Sequence, residues 1–175
     1  MKKEMMALLL TLIFVTAIGI FADQSMAETK NVRSVGQFSK VEFMPVGDVE
    51  GHLFIIGESR GLNFVDGEVA VFTGWVQCDT IKGIGPCKNY VKSVYQDGSV
   101  TITKGQMKLT ISQDGKTGLY EDYEGEFIMG TGRFAGIKGS FSYKGKRVTP
   151  ISPGLKETRG DFFIEGTMTY TLPPK

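Results

Sequence analysis

Few side chains in this 175-residue chain are of the types that move protons, attack carbonyls or hold metals, and their spacing decides what chemistry each could serve. Gly57-Glu58-Ser59-Arg60-Gly61 has the Gly-x-Ser-x-Gly form of a nucleophile elbow, and His52, the single histidine, would be its base. That motif activates a serine only at a sharp strand-to-helix turn in a parallel α/β sheet, with an acid to orient the histidine. The chain shows no helical periodicity from which to build such a sheet, so a glycine-rich turn is the simpler expectation for 57–61. Gly130-x-Gly132-x-x-x-Gly136 suggests a phosphate loop, but a dinucleotide fingerprint needs a βαβ unit whose helix N-terminus holds the pyrophosphate. A tight connection between strands, using glycine conformations closed to other residues, is expected instead. One histidine and two cysteines that can pair leave only carboxylates for a metal, so no metal site is expected, and no other cofactor.

Cys78 and Cys87 are the only cysteines. Between them, residues 79–86 include Gly83, Gly85 and Pro86, which let a loop fold back so that its ends meet. A redox-active pair would have the tighter Cys-x-x-Cys spacing. A disulfide is therefore expected, stabilising by roughly 2–3 kcal/mol on the chain-entropy model.

The elements that must position these residues have a period of two. Met107, Leu109 and Ile111 alternate with Lys108, Thr110 and Ser112, while Ile164, Met168, Tyr170 and Leu172 alternate with Glu165, Thr167, Thr169 and Thr171. Both stretches read as half-buried strands. Further strands are expected near 37–44, 52–57, 67–77, 89–96, 99–104, 119–129 and 139–145, with Asp97-Gly98 and Asp114-Gly115 as tight hairpin turns. With 23 glycines, many short strands and no internal repeat or linker, the expected fold is all-β: a single antiparallel closed β-barrel of about eight strands, since closure removes exposed edges.

Tracking faces singles out four residues. On 119–129, Leu119, Glu121, Tyr123, Gly125, Phe127 and Met129 form the apolar set, while Tyr120, Asp122, Glu124, Glu126 and Ile128 are mainly acidic. Glu121 is thus expected to point inward, where a carboxylate must be paired, hydrogen-bonded or protonated, and it becomes a candidate acid or base. Trp75 shares a face with Val69, Val71 and Thr73, and Tyr143 shares one with Phe141. Both are expected to line the interior together with Tyr123.

Lys2 and Lys3 precede an uncharged run from Met5 to Phe21, and Ser25-Met26-Ala27 supplies the small residues of a signal-peptidase site. Residues 1–27 read as a signal peptide and 28–175 as the barrel domain, exported to a periplasm or secreted. Loss of Lys2, Lys3, Glu4 and Asp23 removes two of the 20 basic and two of the 19 acidic residues, so the formal charge stays +1. That balance gives no reason to expect nucleic acid as a partner. Lys144, Lys146 and Arg147 form the one tight basic group and read as a solvated hairpin tip. Stable membrane insertion is not expected either, because the alternate strand faces are rich in Lys, Glu and Thr where lipid-facing strands need an apolar band.

Glu121-Asp122-Tyr123, a short apolar strand, Gly130-Thr131-Gly132-Arg133-Phe134-Ala135-Gly136-Ile137-Lys138-Gly139 and the ending Thr167-Met168-Thr169-Tyr170-Thr171-Leu172 follow one another in this order. Over about residues 117–172 the chain resembles the C-terminal part of the allene oxide cyclase and dirigent-protein barrels. In those families a Tyr-Glu-Asp-like triplet runs into a Gly-Thr/Ser-Gly-x-Phe-x-Gly-x-x-Gly turn before the barrel closes. The resemblance implies a barrel, a homo-oligomer of trimeric type, and a cavity that steers a reactive substrate through cyclisation or isomerisation, with Glu121 as acid or base. The acidic residue and amide that allene oxide cyclases carry on the first strand have no inward counterpart, since Glu42, beside Val41 and Phe43, reads as outward. The expected function is binding of a small apolar or aromatic molecule in the barrel, with Trp75, Tyr123 and Tyr143 as walls and Glu121 as the polar handle. The cyclase or isomerase is the alternative.

Overall fold

A computed structural model of the chain describes residues 26–112, 117–151 and 160–174. The expected signal peptide lies outside these residues except for Met26 and Ala27, and so does the expected Asp114-Gly115 turn. Eight strands run in chain order: β1 (Glu28–Pro45), β2 (His52–Val65), β3 (Glu68–Ile81), β4 (Ile84–Tyr95), β5 (Val100–Ile111), β6 (Gly118–Gly130), β7 (Lys138–Arg147) and β8 (Phe162–Thr171). Each pairs antiparallel with the next, and β8 returns to β1, so the sheet closes as a barrel without free edges. Among the described residues no helix is long and apolar enough to cross a membrane.

The strands are longer than local patterning indicates, and two expected loops are continuous strand. Gly57 to Gly61 lies within β2, with Gly57 paired to Val76 and Gly61 to Phe72. Residues 79–86 do not form an open loop. They extend β3 and β4 and turn only at Lys82 and Gly83, whose φ of 51° and 80° permit a two-residue hairpin turn. Cys78 and Cys87 are therefore direct cross-strand partners with Cα atoms 4.1 Å apart, joined by the expected disulfide. Both cysteines are buried inside the barrel.

The interior packs in two layers. One gathers Ile55, Phe72, Leu109, Tyr120 and Phe162 around the disulfide. The other gathers Val32, Val65, Tyr95, Phe127, Met168 and Tyr170. As the glycine pattern suggests, residues 131–137 connect β6 to β7 through a short 3₁₀ turn, Gly132–Phe134. This connection tucks Phe134 against Tyr95 and Tyr170, with ring centroids 4.6 and 6.2 Å away, and closes that end of the barrel. It is held to the β4–β5 turn by Arg133 N donating to Ser99 Oγ and Val100 N donating to Thr131 Oγ1. Arg133 also pairs with Glu68 and Asp97, tying in the β2–β3 turn.

Arg147 is not part of a solvated hairpin tip. It ends β7 with its side chain turned into the barrel beside Gly118 and is 5% exposed, while Lys144 and Lys146 stay outside. Burial pulls its pKa down, and the nearby Tyr120 pushes the other way.

Candidate interior site

Between the two layers lies a cavity of about 90 Å³, whose walls include Phe38, Phe72, Met107, Tyr123, Phe162 and Met168. Three runs of polar side chains interrupt this lining. Ser34 Oγ donates to Asn63 Oδ1 at 2.7 Å, and Asn63 Nδ2 donates to Ser93 Oγ at 3.0 Å, a relay across β1, β2 and β4. Ser59 Oγ reaches Gly74 O at 3.5 Å. Asn89 Nδ2 donates to the Tyr123 hydroxyl in a buried contact. The Asn89 carbonyl Oδ1 accepts nothing from the described residues although it is buried, so it has hydrogen-bonding capacity left over.

The Asn89–Tyr123 contact depends on a residue without a side chain. Asn89 on β4 is opposite Gly105 on β5, and Gly105 is opposite Gly125 on β6. A Cβ on Gly105 would stand 2.8 Å from both Asn89 Oδ1 and Phe141 Cζ. The strand between the two partners is thus bare where they meet. Tyr123 in turn packs edge-on against Phe141 and Tyr143, with centroids at 5.3 and 5.5 Å.

Among the described residues no charged side chain lines this cavity. Burial pushes the phenols of Tyr120 and Tyr123 up to about 12, and the Asn89 amide pulls Tyr123 partly back. Burial raises Tyr143 as well. These phenols are therefore neutral hydrogen-bonding groups at physiological pH.

Of the residues expected to form the site, the structure brings Tyr123 and Tyr143 inward and turns two others out. Glu121 is exposed, its carboxylate accepting a 2.9 Å hydrogen bond from Thr110 Oγ1. The expectation that it faces inward is corrected by a β-bulge at Glu121 and Asp122. The β6–β7 register skips from Tyr120 to Tyr123, and Asp122 has a φ of +49°. Both tyrosines therefore point inward, with two acidic residues outside between them. The face of Trp75 is also corrected: the residue still borders the cavity, but it is 47% exposed on the outer face, whereas Ala70, Phe72, Gly74 and Val76 face the interior. An eight-stranded barrel has little room inside, so the face with the small residues is the inner one.

The polar relay was missed, although β4 carried a signal for it. Lys88, Tyr90, Lys92 and Val94 alternate with Cys87, Asn89, Val91 and Ser93, and the two lysines point the second set inward. Ser59 and His52 do not form a pair. Ser59 points into the cavity, whereas His52 sits at the start of β2 with Nδ1 2.5 Å from Asp48 Oδ1 and Nε2 2.6 Å from Asp79 Oδ1. These two carboxylates raise the histidine pKa, the hydrogen bond to Asp79 being the largest cause. Among the described residues no group of His, Cys, Asp and Glu could hold a metal ion. Comparison with known protein families, with curated proteins and with solved structures finds no match to this chain.

Proposed function

We propose that this is an exported barrel that binds one small neutral molecule with an apolar or aromatic body and at least one hydrogen-bond donor. The observation that carries this reading is the buried, unpaired Asn89 Oδ1 in a cavity with aromatic walls and no charge. An ionised ligand would lose its hydration there with no charged side chain on the described walls to replace it, while a hydroxyl could satisfy Asn89 and leave its body against Phe72, Tyr123 and Phe162. The cavity is smaller than the apolar cavity of about 150 Å³ that admits benzene, so the ligand is small or the aromatic side chains shift to receive it.

The Cys78–Cys87 disulfide supports an oxidising, exported location, and β1 begins at Glu28, next to the expected cleavage point. The likeness of 117–172 to the allene oxide cyclase and dirigent barrels supports an interior site. The cyclase alternative needed Glu121 in the cavity and has lost that residue. On the outside, exposed Val35, Leu62, Val71 and Val94 align in register across β1 to β4. This apolar row supports the self-association that the resemblance implies.

Amide-resolved NMR with phenol as probe tests the interior site. Phenol should shift the Asn89 side-chain resonances and the amides of Ser93 and Tyr123, and Asn89→Leu should abolish the response. Native mass spectrometry of protein from its own host should find a small neutral molecule retained. No shift near Asn89 at millimolar phenol, together with no retained molecule, would overturn the reading.

A further inference from the structure

The outer surface carries a second feature, which shares only Trp75, Val76 and Asn89 with the lining of the interior cavity. Gly105 and Gly125 face inward as register partners. A Cβ on Gly125 would stand 2.2 Å from Lys104 O and 2.5 Å from Phe141 Cζ. Without side chains at these positions, β5 and β6 sink onto the Phe141 ring, and the outer face above them is concave. The result is a groove of about 1190 Å³ lined mostly by outward side chains, with Val76, Asn89 and Phe141 beneath them.

Two register rows floor this groove and run across the strands. The first passes from Trp75 to Tyr90, Lys104, Glu126, Ser140 and Thr169, one residue per strand from β3 to β8. The second passes from Gln77 to Lys88, Gln106, Glu124, Ser142 and Thr167 over the same strands. At one end Trp75 and Tyr90 are direct cross-strand partners, 47% and 49% exposed. The rest of the floor is amide, hydroxyl and compensated charge. Lys104 pairs with Glu126 at 2.9 Å, and Gln106 Nε2 donates to Glu124 Oε1 at 3.1 Å.

We propose that this groove binds an extended, neutral polysaccharide laid across the strands. The C–H face of a pyranose ring carries small positive partial charges and is attracted to the negative face of an aromatic ring, which Trp75 and Tyr90 offer side by side. Beyond them, Gln77, Gln106, Ser142 and the Lys104–Glu126 pair present donors and acceptors together, the pattern that vicinal hydroxyls match. Strands about 4.8 Å apart space these groups at intervals comparable to successive sugars. Charge selects a neutral ligand, because Lys88 and Lys104 are offset by Glu124 and Glu126, and a polyanion needs a net positive track. A protein partner needs a contiguous apolar centre, and here the large apolar groups are confined to Ile56, Trp75 and Tyr90 at one end.

Trp75 is the only tryptophan, so its fluorescence reports on stacking at the aromatic end of the groove. Hexasaccharides of cellulose, xylan, chitin and α-glucan type are the probes. At least one should change the emission saturably, and the matching disaccharide should bind at least ten-fold more weakly. Tyr90→Ala should weaken binding at least ten-fold with an unchanged Tm, because Tyr90 is on the surface. Three results would overturn the proposal: no response to any hexasaccharide, equal affinity in Tyr90→Ala, or a response to oligothymidylate in place of the sugars.

Discussion

Two neighbouring side chains on one strand can have opposite energetic roles, and Glu121 and Tyr123 on β6 are such a pair.

 Alternate residues of a strand stand only about 6.6 Å apart, yet the bulge at Asp122 puts one of these side chains in water and the other in the core. Glu121→Gln should change stability by less than about 0.5 kcal/mol, as exposed substitutions do. Tyr123→Phe removes the hydroxyl that the buried Asn89 amide donates to, and should cost about 1–3 kcal/mol by leaving that amide unpaired. Urea unfolding of the two variants checks the contrast, and equal costs would contradict the assigned faces. Tyr123 and Tyr143 were legible in the sequence because their neighbours alternate cleanly. Glu121 was not, because a single non-glycine residue at positive φ shifts the phase of everything before it, and a chain of letters does not mark that residue. Trp75 was misplaced for a different reason. Both faces of β3 are apolar, and the narrowness of the barrel, not hydrophobicity, decides which one is inside.

At the scale of elements, the barrel end that carries the disulfide is tied by a second device. His52 opens β2, Asp48 lies in the β1–β2 turn and Asp79 is on β3, so the imidazole joins the first hairpin to the second. Lys82 N donates to Gly51 O at 2.9 Å alongside it and links the β3–β4 turn to the same place. The sign of the pH dependence follows from the shifts. The histidine pKa is raised in the folded state, so its stabilisation is full below the unfolded value of about 6.5 and is lost as pH rises through the raised value. The Asp48 pKa is lowered, chiefly by its hydrogen bond to His52, so its contribution is present above about 3.8 and is lost as pH falls through the lowered value. The clamp is therefore strongest between about pH 4 and 6.5. The stability difference between the native chain and His52→Gln should be largest near pH 5.5 and should shrink by pH 8.5 in urea titrations. A difference that does not vary with pH would mean that the histidine is not held in this way. Strand existence and the hairpin disulfide were legible from period-two patterning and cysteine spacing. Strand lengths were not, because the ends of β1, β2 and β4 are set by pairing with neighbours distant in sequence.

For the molecule as a whole, the closed barrel has gathered its phenols inside. Five of the six tyrosines, Tyr95, Tyr120, Tyr123, Tyr143 and Tyr170, have raised pKa values, and in each burial is the largest cause. A phenolate is disfavoured in this interior but free to form in the unfolded chain, whose tyrosines ionise near pH 10. A raised folded pKa therefore leaves stability intact below about pH 10 and removes it as pH climbs toward the folded values, which reach about 12 for Tyr120, Tyr123 and Tyr170. Each such phenol removes about 1.4 kcal/mol per pH unit in that range. The fully enclosed Tyr120 and Tyr123 acting together would remove about 3 kcal/mol per unit, a large share of the roughly 5–15 kcal/mol that holds a domain folded. The barrel should thus survive to about pH 10 and then unfold cooperatively before pH 12, with tyrosinate absorbance and the loss of β-sheet circular dichroism rising in one shared step. Tyr123→Phe should make the alkaline transition less steep. If most of the tyrosinate signal instead develops while the circular dichroism is still native, the phenols are accessible to water and the barrel does not enclose them.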